Sequence, residues 1–264
     1  MNRLDRLFAE KKKEVLGVYF TAGFPVGNHA VDMVCDLAEA GVDFVEVGMP
    51  FSDPLADGPV IQESSSVALK NGMTISKLFG ELKALRNRTD VPVVLMGYVN
   101  PVMQFGFEKF LSECRMSGVD AVILPDLPVE VYVAEYKQLF LQYEIYPVFL
   151  ISPQTPADRA TFIANESKGF IYLVSSSATT GANGELSTEQ QTRLKQTISA
   201  VPNIPVMVGF GIHDSVSFSA ATKYSAGGIV GSAFIRALGT DPKNAIETTI
   251  RKIKPELYDH SASR

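Results

Sequence analysis

The sequence predicts an α/β fold, a single (β/α)8 TIM barrel with a lead-in helix at the N-terminus. Eight short apolar runs, a helical pattern after each run, and a length of 264 residues match this barrel, which typically takes ~250 residues. The runs are nearly continuous in apolar character, as in parallel strands that are covered on both faces. A doubly wound open sheet is the competing architecture, but no GxGxxG follows the first run.

The predicted elements follow one another in a regular order. An amphipathic lead-in, LDRLF at 4–8, comes first. The predicted strands are VLGVYF (15–20), DFVEVGM (43–49), VPVVLMGY (91–98), DAVILPD (120–126), YPVFLI (146–151), GFIYLVS (169–175), PVMVGFG (205–211) and GGIVGSA (227–233). Glycines such as Gly41 and Gly118 mark the ends of helices between them. No shift in composition divides the chain, so we expect one domain over residues 1–264, with a frayed C-terminal tail at 255–264.

Composition and charge argue against several classes of protein. The formal net charge is −5 and no basic stripe is present, which disfavours nucleic-acid binding. No apolar run approaches the ~18–20 residues of a membrane span, and the N-terminal segment fits neither a signal nor a transit peptide, so we expect a cytoplasmic protein. Cys35 and Cys114 are expected to be reduced and buried. His29, His213 and His260 are scattered, so no metal site is expected.

Glycines at the last two strand ends predict an anion site. In this type of barrel the active site lies at the C-terminal ends of the strands, and the loops after strands 7 and 8 frequently form a phosphate-binding site. Gly211 ends the seventh predicted strand, and Gly231 with Ser232 ends the eighth and opens a helix, whose free N–H groups favour an anion. Gly181, in the sixth loop, could close over the same site. Ordinary turn glycines are the alternative interpretation.

Carboxylates at the second strand end predict acid/base chemistry. Phe44, Glu46 and Gly48 share one face of the strand, so an inward Glu46 would be desolvated and its pKa raised, which suits a general acid. A salt bridge is the alternative for Glu46, although no Lys or Arg lies within the eight runs. Asp57 follows in a loop that can fold back over the C-terminal opening of the barrel, near Glu46. For Asp53 and Asp57 the alternative is a solvated loop or a turn cap.

The remaining polar residues leave more than one interpretation open. Tyr98 and Tyr172 end two predicted strands and either line an apolar pocket or pack within the barrel. Asp126 either supports the carboxylates or caps the turn that follows it. Ser175, in a run of three serines, lacks a His/Asp pattern, which disfavours a serine nucleophile. The residues alone therefore predict a phosphate-holding barrel with a carboxyl pair, suited to proton transfer or to carbon–carbon lyase chemistry.

The run VGMPFSDPLADGPVIQ at 47–62 resembles the signature of the tryptophan synthase alpha subunit (alpha chain) family. TAGFP, GYVNPV, ILPDLPVE, YLVSSSATTG, GFGI and IVGSA stand in the family's order and spacing, so the resemblance covers nearly the whole chain. It implies a lyase of tryptophan biosynthesis that cleaves indole-3-glycerol phosphate to indole and glyceraldehyde 3-phosphate. A free-standing indole-3-glycerol-phosphate lyase and a non-catalytic activator of the β subunit are the alternatives.

The resemblance also implies a role for individual residues. Glu46 matches the main acid/base, which protonates the indole ring carbon, and Asp57 matches the aspartate that faces the indole N–H. Thr180 matches the threonine that bonds this aspartate when the loop closes. The matched indole-pocket positions are Tyr19, Met96, Ile123, Tyr172 and Phe210, and the matched phosphate contacts are Gly181, Gly211, Gly231 and Ser232. Ala178 departs from the family, whose loop has glycine there.

A partner subunit is the last implication of the resemblance. The family works as an α2β2 heterotetramer, in which the β subunit holds pyridoxal phosphate and receives indole through a tunnel. No cofactor and no metal are then expected in this chain itself. Asp53, Asn100 and Pro101 match the region where the α subunit meets the β subunit.

Overall fold

The strands of the computed structural model form one parallel sheet, as predicted. The structure describes residues 1–27, 29–174 and 188–259. The strands are β1 Val15–Thr21, β2 Phe44–Gly48, β3 Val93–Met96, β4 Ala121–Ile123, β5 Tyr146–Pro147, β6 Leu150–Ile151, β7 Ile171–Leu173, β8 Val206–Val208 and β9 Gly227–Val230. Neighbours pair in the order β5-β4-β3-β2-β1-β9-β8-β7-β6. Each described strand lies inside one of the eight predicted runs or extends it by one residue.

β5 and β6, the first and last strands of this order, are neighbours in the sequence, and the segment that contains them closes the barrel. β5 pairs with β4, and β6 pairs with β7. Between them the N–H of Val148 donates to the carbonyl of Val122, and the N–H of Tyr172 donates to the carbonyl of Phe149, each at 3.0 Å. The fifth predicted strand, 146–151, is therefore two short pieces, because its hydrogen bonds go first to β4 and then to β7.

Helices follow the strands and cover the sheet. They are α1 Arg3–Glu10, α2 Ala30–Glu39, α3 Pro59–Lys70, α4 Ile75–Leu82, α5 Val99–Phe105, α6 Phe107–Met116, α7 Val129–Val131, α8 Lys137–Gln142, α9 Ala157–Glu166, α10 Thr188–Ser199, α11 Ser215–Thr222, α12 Ser232–Thr240, α13 Ala245–Ile253 and α14 Glu256–Asp259. Gly41 and Gly118, with φ of 88° and 73°, follow α2 and α6 as predicted. Within the expected tail, 255–264, helical structure continues to Asp259. Among the described helices none is long and apolar enough to cross a membrane.

A buried ion-pair network lies at the N-terminal face of the barrel. Asp120, directly before β4, is 2% exposed. Its carboxylate accepts hydrogen bonds from Arg86 at 2.9 Å, from Arg3 at 3.1 Å and from the backbone N–H of Val93 at 2.9 Å. Arg3 also pairs with Asp90 at 2.6 Å. The network therefore holds the lead-in helix α1 against the base of the sheet.

Candidate active site

Glu46 is a fully buried acid that has no hydrogen-bond partner among the described residues. It stands in the middle of β2, in register with Tyr19 of β1, and it lines a cavity of about 290 Å³. Among the described residues neither of its carboxyl oxygens has a hydrogen-bond partner, so the salt-bridge alternative has no support there. Burial, and secondarily the charge of Asp57, raises the pKa of Glu46 to about 8. Near neutral pH this side chain therefore carries a proton that it can donate into the cavity.

Asp57 lines the same cavity and is held by a tyrosine from the next loop. The hydroxyl of Tyr98 donates to Asp57 Oδ2 at 2.9 Å and accepts from the backbone N–H of Ala56 at 3.0 Å. Burial raises the pKa of Asp57, and the hydrogen bond from Tyr98 opposes that rise. The centroid of the Tyr98 ring lies 5.2 Å from that of Phe51, which belongs to the same loop as Asp57. Tyr98 thus fixes the Asp57 loop, a role that sequence reasoning missed.

One wall of the cavity is apolar and largely aromatic. Four of the five predicted indole-pocket residues line the cavity: Tyr19, Met96, Tyr172 and Phe210. The fifth, Ile123, is fully buried on β4 and is not among the described residues that line the cavity. Pro125, two residues after it, does line the cavity. Further apolar residues that were not singled out from the sequence also line the cavity: Ile61, Leu150, Val174, Ile212 and Ile229.

The ring of Tyr19 is held from behind by a chain of hydroxyl groups. Its hydroxyl lies 3.3 Å from Thr21 Oγ1, which lies 2.6 Å from Ser64 Oγ. Ser64 in turn donates to the carbonyl of Ile61 at 2.9 Å. Gly48 leaves room for the ring, since a Cβ there would collide with the Tyr19 hydroxyl. The chain connects the pocket wall to α3, the helix that begins directly after the Asp57 loop.

Three of the residues predicted to contact phosphate line the cavity where α12 begins. They are Gly211, with φ of 70°, and Gly231 with Ser232, which start α12. The first N–H groups of a helix have no intrahelical partner and carry its positive dipole end. Two lining residues were missed: His213, whose Nδ1 lies 2.9 Å from the Gly211 carbonyl oxygen, and Arg236 on α12. A signal for Arg236 existed, since it follows Ser232 at the i+4 spacing of one helix face.

Part of the predicted site lies outside the described residues. Thr180, Gly181, Ala178 and Ser175 belong to that part of the chain. Among the described residues no group of three His, Cys, Asp or Glu side chains is placed to hold a metal ion. Asp126 accepts a hydrogen bond from the backbone N–H of Val99 at 3.0 Å, so it caps the start of α5 rather than the turn that follows it.

The residues predicted to meet a partner lie near the cavity mouth. Asp53 and Asn100 are exposed and Pro101 is half-buried. Leu55, in the loop of Asp53, is 91% exposed, and Met103, on α5 with Asn100 and Pro101, is 56% exposed.

The fold and this cavity define a class: a (β/α)8 barrel with two carboxyl side chains, Glu46 and Asp57, in one cavity at the C-terminal ends of its strands. The family profile described as Tryptophan synthase alpha chain matches residues 6–261. A protein of that name from Christiangramia forsetii is 45% identical over 254 residues, which cover 96% of this chain and 99% of that protein. The chain belongs to the tryptophan synthase alpha chain family.

Solved structures agree with the family assignment. A tryptophan synthase alpha chain from Legionella pneumophila subsp. pneumophila superimposes with a TM-score of 0.86 at 30% identity and covers 100% of both chains. A chain from tryptophan synthase of M. tuberculosis, in its aminoacrylate-bound form, gives 0.81 at 27% identity and covers 94% of this chain and 97% of that one. The barrel predicted from the sequence is thereby confirmed.

Proposed function

We propose that this chain is a carbon–carbon lyase that cleaves indole-3-glycerol phosphate to indole and glyceraldehyde 3-phosphate for tryptophan synthesis. The family assignment supports this activity. Within the chain, the observation that carries it is Glu46. This buried carboxyl has no hydrogen-bond partner among the described residues and a pKa of about 8, and it shares one cavity with Asp57 and with apolar and aromatic side chains. Neither a free-standing lyase nor a non-catalytic activator has a comparable observation in its favour.

The proposed reaction is a retro-aldol cleavage in which two protons move. Glu46 gives its proton to the ring carbon that bears the glycerol chain, and Asp57 faces the indole N–H and stabilises the positive charge that develops on the ring. The glycerol hydroxyl next to the ring loses its proton to one of the two carboxylates. The carbon–carbon bond then breaks, its electron pair returns to the ring, and an aldehyde forms. The substrate gains one proton at the ring carbon and loses one from the glycerol hydroxyl, so no cofactor is consumed.

The remaining cavity residues are proposed to hold the two ends of the substrate. Tyr19, Met96, Tyr172 and Phe210 enclose the indole ring by apolar contact, with Ile123 supporting the wall from behind. Gly211, Gly231 and Ser232 receive the phosphate at the start of α12. We propose that Gly181 and Thr180 close the site from the sixth loop, as the family resemblance implies.

The chain is proposed to act with a tryptophan synthase β subunit in an α2β2 heterotetramer. The β subunit, carrying pyridoxal phosphate, would use the indole, and this chain would need no cofactor of its own. Asp53, Asn100 and Pro101 are assigned to the shared surface, together with the exposed side chains of Leu55 and Met103. A cytoplasmic location fits a biosynthetic enzyme and is part of the same proposal.

The test is release of glyceraldehyde 3-phosphate from indole-3-glycerol phosphate, measured with and without a matching β subunit. We expect slow release by the chain alone and a strong rise on adding the β subunit. Fast release by the chain alone would identify a self-sufficient lyase. No release under either condition would refute the lyase assignment.

A further inference from the structure

The anion end of the cavity lies in a site that already holds negative charge. The ionisable side chains among the described lining residues are Tyr19, Glu46, Asp57, Tyr172, His213 and Arg236. In the proposed reaction Asp57 acts as the ionised carboxylate, while Glu46 begins protonated. A phosphate group adds up to two further negative charges. Backbone N–H groups offer only partial charges, so a full positive charge nearby would strengthen binding of the anion.

Arg236 is placed to supply that charge. It lies on α12 four residues after Ser232, the first residue of the helix, so both residues share one helix face. Side chains on a helix lean towards its N-terminus, and a long arginine therefore extends back to the phosphate end. The residue is exposed and lines the cavity. Its guanidinium is a permanent cation with several donors that match phosphate oxygens.

His213 is less suited to the same task. Its Nδ1 lies 2.9 Å from the carbonyl oxygen of Gly211, and its Nε2 lies 3.6 Å from Asp214 Oδ2. Both ring nitrogens therefore face acceptors of their own loop. Among the described lining residues, this leaves Arg236 as the permanent cation of the cavity.

We propose that Arg236 is the residue whose positive charge binds the phosphate group of the substrate, in addition to the backbone of Gly211, Gly231 and Ser232. The inference rests on the proposed function for the identity of the substrate, but it concerns recognition of a phosphate monoester by itself. The inference assigns phosphate binding to an arginine side chain, whereas the sequence motifs assign it only to glycines and a serine.

The experiment measures binding of sn-glycerol 3-phosphate to the full chain by calorimetry. Arg236→Gln is expected to weaken binding about tenfold, since one charge-assisted contact at a partly exposed site is lost. Arg236→Lys keeps the charge and should stay within about threefold of the unchanged protein. Arg251→Gln, which removes an exposed arginine from the next helix, outside the cavity, serves as the matched control and should bind normally. Added salt should weaken binding more in the unchanged protein than in Arg236→Gln.

Turnover separates this inference from the proposed function. If Arg236→Gln raises KM for indole-3-glycerol phosphate about tenfold while kcat stays within about twofold, the residue acts in phosphate binding. Equal binding of sn-glycerol 3-phosphate by Arg236→Gln and the unchanged protein would overturn the inference, whether or not the lyase is active. Weakened binding in a chain without lyase activity, with or without the β subunit, would uphold Arg236 and refute the function.

Discussion

Two buried carboxylates near opposite ends of the barrel have opposite surroundings. Glu46, which lines the cavity at the C-terminal mouth, is fully buried and has no hydrogen-bond partner among the described residues. Asp120, at the N-terminal base, is almost as buried, yet it accepts hydrogen bonds from Arg86, Arg3 and the N–H of Val93. The same type of group is therefore left without a partner at one end and fully satisfied at the other.

The difference teaches how one fold separates catalysis from stability. A carboxyl that has no partner favours its protonated form when it is buried, so it is available for proton transfer. A carboxylate surrounded by donors stays fixed, and it holds the chain elements that donate to it. The loops at the mouth can then change without disturbing the base, in keeping with the division of roles between the two faces of such barrels.

The largest expected effect comes from removing the acid at the mouth. Glu46→Gln keeps the shape of the side chain but has no proton to give, so turnover of indole-3-glycerol phosphate should fall about 10³-fold or more. Substrate should still bind, and the fold should be retained, since an unpartnered buried acid adds little to stability. Steady-state release of glyceraldehyde 3-phosphate measures the change. Turnover at the normal rate in a folded variant would remove Glu46 from the mechanism.

The next largest effect is expected at the base and concerns stability. Asp120→Asn leaves Arg86 and Arg3 beside a neutral amide, which should lower the free energy of unfolding by about 3 kcal/mol. Urea unfolding measures it, with Asp90→Asn as the control. Asp90 pairs with Arg3 and Arg6, but its side chain is 63% exposed, so its loss should cost less than about 1 kcal/mol. Equal losses in the two variants would mean that burial does not govern this network.

The pH dependence of stability should reveal the raised pKa of Glu46. The pKa of Glu46 is about 8 when folded and lies above its ordinary value of 4.5, so its contribution is complete below pH 4.5 and is lost as the pH rises through 8. Between pH 7 and 9 this loss amounts to about 1.4 kcal/mol. Glu46→Gln should lack this part of the decline. Identical urea-unfolding profiles for the two proteins over that range would contradict the raised pKa.

A smaller effect is expected from the tyrosine that holds Asp57. Tyr98→Phe removes the hydrogen bonds to Asp57 and Ala56, and kcat/KM should fall about tenfold as the loop loses its position. Because the Tyr98 hydroxyl lowers the pKa of Asp57, its loss should move the acid limb of the kcat/KM profile to higher pH.

The control for Tyr98 comes from the other end of the barrel. Tyr146 donates to Asp5 Oδ2 at 2.6 Å, so Tyr146→Phe also breaks a tyrosine–carboxylate hydrogen bond. It should leave the pH profile of kcat/KM unchanged. A shift of the acid limb in both variants, or in neither, would argue against a specific role for Tyr98.

Much of the fold and the core of the site followed from local patterns. The two-residue period of a strand places Glu46 on the face of Phe44 and Gly48, and the helix start after Gly231 predicts the anion end. Strand ends were less predictable. The run at 146–151 reads as one strand, because a sequence shows apolar character but not which neighbour receives each hydrogen bond.

The parts that were missed depend on contacts between distant segments. Tyr98 meets Asp57 across 41 positions of sequence, and only the packing of two loops brings them together. Arg236 is the exception, since its i+4 spacing from Ser232 on α12 was a local signal that the glycine motif did not include. Ile123 was assigned to the pocket by the family resemblance, but Pro125, two positions later, lines the cavity in the structure and Ile123 does not.

The most direct test of the account is the titration of the Glu46 carboxyl itself. Carbon-13 NMR of the protein labelled at glutamate side-chain carboxyls would follow it, with the signal assigned by its absence in Glu46→Gln. The account predicts a midpoint at about pH 8, because burial without a partner favours the protonated form. A midpoint near the ordinary value of 4.5 would show that Glu46 is ionised at neutral pH, and it would contradict its role as the proton donor.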